Sequence, residues 1–405
     1  MKLFLKYLPA LFILFVISAV FISCQDDEED RNPVVHYIRV TNPASSDSLL
    51  NAAYLGDLIA VVGDNLGSLR EVWFDDQRAN INPTLVTDHS VILNVPATAP
   101  TVVTNKLVMK FATGKVIEHD FKMAVPAPVV EAMECEWVQP GETAVINGNY
   151  FFEPLTITFN NGVQVTPATV EATRITFEVP AGAEPGPVTV TTNFGATQSS
   201  FHFMDQRNIF LNYDNLTASG SWRPGTVGSD DPVDGNYLIL KGSLKKNERA
   251  EDFPGGGYVS QFWAQANGRP QGNLVPAEGF VSDYVFKFEA RVKAMYGTTL
   301  NICFAPWNNA ANGEYWGNLN AKGLWEPWKA NDANFVTEDW ITVSIPLSEF
   351  KYAQTMEGSD ITYTSMDFNR EITGSLSFWV IGSPKASEDG SPVEIHIDNV
   401  RIVNK

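Results

Sequence analysis

A duplicated pattern of glycine and hydrophobic landmarks constrains this chain more than any other feature. Gly56-Asp57, Gly63-Asp64-Asn65, Phe74-Asp75 and Val95-Pro96 recur as Gly141-Glu142, Gly148-Asn149-Tyr150, Phe159-Asn160 and Val179-Pro180. The first three landmarks are seven and then eleven residues apart in both copies, and the last spacing differs by one. Self-similarity at fixed spacing marks a repeated folding unit. Short alternating segments such as Leu58 to Val62, Thr156 to Phe159 and Val188 to Thr192 are bounded by Gly, Asn and Pro. Alternation of period two, broken by turns about every 8 to 12 residues, predicts an all-β sandwich in each copy.

Beyond Asp205 the composition changes, and eight of the ten tryptophans fall there. Tyr284, Phe286, Phe288, Ala290 and Val292 alternate with Lys287, Glu289, Arg291 and Lys293, and Ile341, Val343, Ile345 and Leu347 alternate with Thr342 and Ser344. Leu300-Ile302-Phe304, Leu376-Phe378-Val380 and Val393-Ile395-Ile397 repeat the pattern. Each strand then turns one face to a core and the other to solvent or ligand, which predicts a jelly-roll-like antiparallel β-sandwich.

Between Phe304 and Trp340 lies a Gly/Asn/Pro-rich segment carrying Trp307, Tyr315, Trp316, Trp325 and Trp328. Turn chemistry needs Gly, Asn and Pro but not large rings, so so many rings in a loop call for another explanation. A pyranose offers an apolar C–H face that stacks on an indole and a rim of hydroxyls that pairs with Asn, Gln, Asp, Glu, Lys or Arg. The five residues, together with Trp263 on a candidate strand, are therefore the candidate glycan platform, with two or three of the five loop rings expected to stack and the rest to buttress. Trp340 and Trp379, at strand positions, read as packing residues. Each stacked sugar contributes about 1 kcal/mol and a micromolar complex requires about 8 kcal/mol, which favours a long polymer over a monosaccharide.

Other function classes find little support. Lys plus Arg number 28 against 47 Asp plus Glu, a net charge of -19 that disfavours nucleic acid as a partner. The five histidines are scattered without an HxH or HxxxH pair, and the three cysteines form no CxxC, so no transition-metal site is predicted. Cys135 and Cys303 read as small core residues. Glu314 and Glu326 lie in the tryptophan segment, so an extracellular glycoside hydrolase is one alternative to a binder. A protein-binding surface adhesin is the other.

At the N-terminus, Lys2 and Lys6 precede an apolar run from Leu8 to Ile22, shorter than the roughly 20 residues that span a bilayer. The following Phe21-Ile22-Ser23-Cys24 resembles a bacterial lipobox, which implies lipidation at Cys24. The acidic Gln25-Asp26-Asp27-Glu28-Glu29-Asp30 resembles the surface-export signal of Bacteroidetes lipoproteins. The repeated Gly-x-Asn-hydrophobic turn and the Val-Pro strand ends resemble the immunoglobulin-like IPT/TIG family. The whole layout, with Trp340-Ile-Thr-Val-Ser-Ile-Pro-Leu-Ser-Glu-Phe350 and Ile397-Asp398-Asn399-Val400-Arg401, resembles the surface glycan-binding proteins of Bacteroidetes polysaccharide utilisation loci, the SGBP-B type. That resemblance implies a signal peptide over 1–23, an acidic tether over 24–33, IPT/TIG-like domains over 34–125 and 126–205 serving as spacers, and a non-catalytic glycan-binding sandwich over 206–405. It further implies xyloglucan or a related β-glucan as ligand, with the adjacent Tyr315-Trp316 pair in the platform. An outer-membrane lipid anchor, a TonB-dependent importer and a companion glycan-binding lipoprotein are its implied partners. No catalytic cofactor is expected. Asp398 is the one residue that suggests the structural calcium of many jelly-roll carbohydrate modules.

Overall fold

The computed structural model describes residues 32–45, 47–214, 226–248, 259–263, 274–305, 322–350 and 374–405. The chain divides between Pro126 and Ala127 into two compact units. Among the described residues of the first unit are strands β1 (Val34–Val40), β2 (Leu49–Leu50), β3 (Ala52–Tyr54), β4 (Leu58–Asp64), β5 (Leu69–Phe74), β6 (Gln77–Arg78), β7 (Ser90–Asn94), β8 (Lys106–Phe111), β9 (Val116–Asp120) and β10 (Lys122–Ala124). They form sheets β2-β1-β4-β7 and β6-β5-β8-β9, with β10 parallel to β3. Alternate residues such as Ile59, Val61, Val72, Phe74, Leu107 and Met109 meet in one core, as the period-two pattern requires.

The second copy of the repeat has the same two-sheet form. Its strands are β11 (Val129–Met133), β12 (Thr143–Asn149), β13 (Leu155–Thr158), β14 (Gln164–Val165), β15 (Thr169–Glu171), β16 (Arg174–Glu178), β17 (Gly186–Thr192) and β18 (Gly195–Phe203), in sheets β11-β12-β16-β15 and β14-β13-β17-β18. The repeated glycines have matching physical reasons. Gly56 and Gly141 turn the chain at φ of +84° and +89°, a region that side-chain-bearing residues rarely adopt. A Cβ on Gly63 would overlap the Val34 carbonyl oxygen, and one on Gly148 the Val129 carbonyl oxygen.

The C-terminal sandwich comprises β19 (Ile209–Leu211), β20 (Thr226–Gly228), β21 (Tyr237–Leu244), β22 (Val259–Trp263), β23 (Tyr284–Met295), β24 (Thr298–Ala305), β25 (Lys322–Trp325), β26 (Ile341–Pro346), β27 (Ser375–Gly382) and β28 (Ser391–Asn404). One sheet runs β20-β21-β28-β23-β26 with β19 on β28, and the other β22-β27-β24-β25. Phe286, Phe288, Leu300, Ile302, Phe304, Leu376 and Phe378 fill the space between them, and Phe286 meets Phe304 edge to face at 5.9 Å.

One expectation needs correction. Lys287 and Glu289 lie on the face of β23 assigned to solvent or ligand, yet both are buried. The second immunoglobulin-like domain covers them. The Glu134 carbonyl accepts from the Thr342 amide at 2.7 Å, and the Glu136 amide donates to Thr342 Oγ1 at 2.7 Å. Val233, Tyr237 and Trp340 of the sandwich share a core with Trp137, Val138, Phe201 and Phe203. The second repeat is therefore joined to the C-terminal sandwich by a common interior and is not a detached spacer.

Candidate functional site

The two faces of sheet β22-β27-β24-β25 differ in chemistry. Leu300, Ile302, Phe304, Leu376, Phe378 and Val380 point to the sandwich core. The alternate positions carry Asn301, Cys303, Ser377 and Trp379, and register sets Asn301 against Trp379, Cys303 against Ser377 and Lys322 against Cys303. On the edge strand, Gln261 pairs with Ser377 and Trp263 with Ser375. One sheet thus carries an apolar face inward and a row of amide, hydroxyl, amine and indole positions on the other.

Asn301, Cys303, Lys322, Ser377 and Trp379 are buried, and their chemistry reflects it. Asn301 Nδ2 donates to the carbonyls of Thr299 and Trp379 at 3.3 and 3.4 Å. Burial lowers the Lys322 amine below the usual lysine range, with Cys303 working against that shift. Burial pushes the Cys303 thiol up to about 12, so Cys303 is an inert thiol, as is Cys135. Among the described residues, Ser377 Oγ has no hydrogen-bond partner.

The candidate platform residues divide. Trp307, Tyr315 and Trp316 belong to 306–321, outside the described residues; that segment joins β24 to β25 and so adjoins this sheet in the chain. The backbone of Trp263 is described and its side chain is not. Cys24 also lies outside the described residues.

Trp328 is one of the rings that buttress. It is only 3% exposed, its Nε1 donates to the Thr298 carbonyl at 2.6 Å, and its ring meets Tyr296 edge-on at 5.3 Å. The 3-10 turn Pro327–Ala330 turns this indole into the core, leaving no free ring face for a sugar. Trp325 is half-buried: it pairs with the core position Leu300 and packs edge-on against Phe288 at 5.7 Å and Phe335 at 6.0 Å. It buttresses the sandwich. Trp340 and Trp379 are buried as the strand pattern suggested.

Glu326, weighed as a hydrolase carboxylate, accepts from Thr299 Oγ1 at 2.6 Å and pairs with Lys329 at 2.6 Å, which gives it a structural role. Sequence reasoning did not find that two scattered histidines meet. His36 Nε2 and His89 Nδ1 lie 2.8 and 3.1 Å from the two oxygens of Asp64, and these hydrogen bonds lower the Asp64 carboxyl below its ordinary range.

For the calcium expectation, Asp398 and Asn399 are fully buried. Among the described residues, Asp398 Oδ2 and both side-chain polar atoms of Asn399 have no hydrogen-bond partner. Burial pushes Asp398 up to about 9, with Glu289, Asp214 and Asp234 adding to the effect. Unpartnered buried oxygens fit a hard cation. Among the described residues no group of three or more His, Cys, Asp or Glu side chains is spaced to hold a metal, so other oxygen donors would have to complete a cage.

Comparison with known proteins agrees with this architecture. The family described as "Surface glycan-binding protein B xyloglucan binding domain" matches residues 203–404, the whole C-terminal sandwich. An IPT/TIG domain-containing protein of Bacteroides ovatus is 32% identical over 525 residues, covering 100% of both chains. The crystal structure of surface glycan-binding protein PbSGBP-B from Prevotella bryantii superposes with a TM-score of 0.70 at 26% identity, covering 93% of this chain and 99% of that one. The chain belongs to the SGBP-B family of cell-surface glycan-binding proteins, which bind polysaccharide without catalysis.

Proposed function

We propose that this protein captures xyloglucan or a related neutral β-glucan at the cell surface through its C-terminal sandwich. The observation that carries this reading is the match of that sandwich to the xyloglucan-binding domain family. It is supported by the two-faced sheet whose connecting segment bears Trp307, Tyr315 and Trp316. These rings, with Trp263, stack on successive sugars, while neighbouring amide and hydroxyl groups pair with ring hydroxyls. A lipid on Cys24 holds the protein to the outer membrane. Bound polymer passes to a TonB-dependent importer beside a companion glycan-binding lipoprotein.

We further propose that Asp398 and Asn399 hold a structural Ca²⁺ through their side-chain oxygens. The cation would neutralise buried negative charge midway along β28 and take no part in binding sugar.

Electrophoresis of the protein through gels containing xyloglucan, mixed-linkage glucan, laminarin or mannan tests the ligand. Retardation in xyloglucan is expected, with no new reducing ends on prolonged incubation. Free migration in the xyloglucan and mixed-linkage gels would overturn the assignment, and release of reducing ends would favour the hydrolase reading.

A further inference from the structure

Linked domains ordinarily move relative to one another unless their interface is large and apolar. The contact between the second immunoglobulin-like domain and the C-terminal sandwich combines an apolar core with a sealed charge cluster. Arg401 on β28 is fully buried and donates to Glu289 on β23 at 2.7 and 2.9 Å. The same guanidinium donates to Glu136 of the second domain at 2.7 Å. Lys287 donates to the other oxygen of Glu136 at 2.5 Å. Asp205, at the junction, lies 3.9 Å from Arg401 Nε and forms a two-pronged pair with Arg207 at 2.8 and 2.9 Å.

The charges balance only across the boundary. Within the sandwich Glu289 pairs with Arg401, while Lys287 finds its carboxylate, among the described residues, only in Glu136 of the second domain. Within the second domain, Glu136 is a buried carboxylate whose cations all belong to the sandwich. Separating the domains would leave Glu136 unpaired on one side and an excess of positive charge on the other, and a charge stripped of its partner is strongly unfavourable until water reaches it. Trp340 and Tyr237 add an aromatic contact at 5.2 Å in the same shared core.

We infer that residues 127–405 are one cooperative folding unit, in which the second immunoglobulin-like domain is an integral part of the glycan-binding module and not its support. The stretch that the family profile matches, 203–404, is then not an autonomous domain. This inference concerns folding and holds whatever glycan is bound.

Scanning calorimetry of the full chain tests it, with Glu136→Gln on one side of the boundary and Lys287→Met on the other. Two transitions are expected, one for the first unit and one for 127–405, with both substitutions lowering the same transition. A double-mutant cycle should be non-additive, because both changes remove the same pair. Three transitions, or two substitutions that each move a different transition, would overturn the inference. If Glu136→Gln fails to fold, hydrogen exchange of Lys287→Met remains decisive. Exchange should quicken together in β12, β16, β23 and β28, and unchanged exchange in β12 and β16 would contradict the proposal.

Discussion

Arg401 and Glu136 lie 265 positions apart in the chain and meet at 2.7 Å in a site closed to water. Burial alone would lower the Arg401 pKa, but the Glu289 and Glu136 carboxylates outweigh it and hold the guanidinium protonated. Such a pair is costly to break from one side. Arg401→Met should reduce the stability of the second unit by about 3–5 kcal/mol. Lys241→Ala, which removes the exposed partner of Glu394, should change it by less than about 1 kcal/mol. Urea unfolding followed by tryptophan fluorescence separates the two outcomes.

Trp328 and Trp325 should affect stability before affinity. Trp328→Ala empties a core site and breaks the hydrogen bond to Thr298, at a cost of about 3–5 kcal/mol, yet the folded fraction should bind glycan with unchanged affinity. Calorimetric titration normalised to folded protein checks this. A large loss of affinity at full stability would return Trp328 to the platform.

The repeat glycines should be intolerant for two different reasons. Gly141→Ala forces a side chain into left-handed backbone and should cost about 1–2 kcal/mol. Gly148→Ala places a Cβ against both the Val129 carbonyl and the Phe151 ring and should cost more. Chemical denaturation of the two variants orders them.

The strand pattern was legible because alternation of period two reports which side chains share a face. Phe286 and Phe288 were assigned to the core on that basis, and the repeat was legible because Gly63 and Gly148 meet the same carbonyl constraint. Alternation cannot say what covers the other face. Lys287 and Glu289 carry the pattern of solvent-facing residues, yet the docked second domain, which supplies Glu136 to Lys287, closes over that face. Which of the five loop rings buttress is not legible for a related reason: Trp325 and Trp328 lie on a short edge strand and a 3-10 turn, which leave too few residues for a period to be read. His36, Asp64 and His89 come from separate parts of the chain, and spacing along the sequence carries no sign that they meet.

Asp398 supplies a pH test. Its folded-state pKa, about 9, lies above the unfolded carboxyl value, so its contribution to stability is full below about pH 4 and is lost as pH rises toward 9. In EDTA, Asp398→Asn should remove that decline and be at least as stable as the parent at pH 8. A bound Ca²⁺ compensates the carboxylate, so in calcium the parent should be the more stable of the two at pH 8. Thermal melts at pH 5 and pH 8 with and without calcium distinguish these cases, and identical melts in calcium and EDTA would leave Asp398 without a cation.

The proposed function has a ring platform on the C-terminal sandwich capture a β-glucan without cutting it. Isothermal titration of the full chain with xyloglucan oligosaccharide, beside a Trp307→Ala/Trp316→Ala variant of equal thermal stability, is the decisive experiment. Binding by the parent and at least a tenfold loss in the variant are expected, on the order of 1 kcal/mol or more per ring. Undiminished binding by the stable variant, or no heat from the parent, would contradict it.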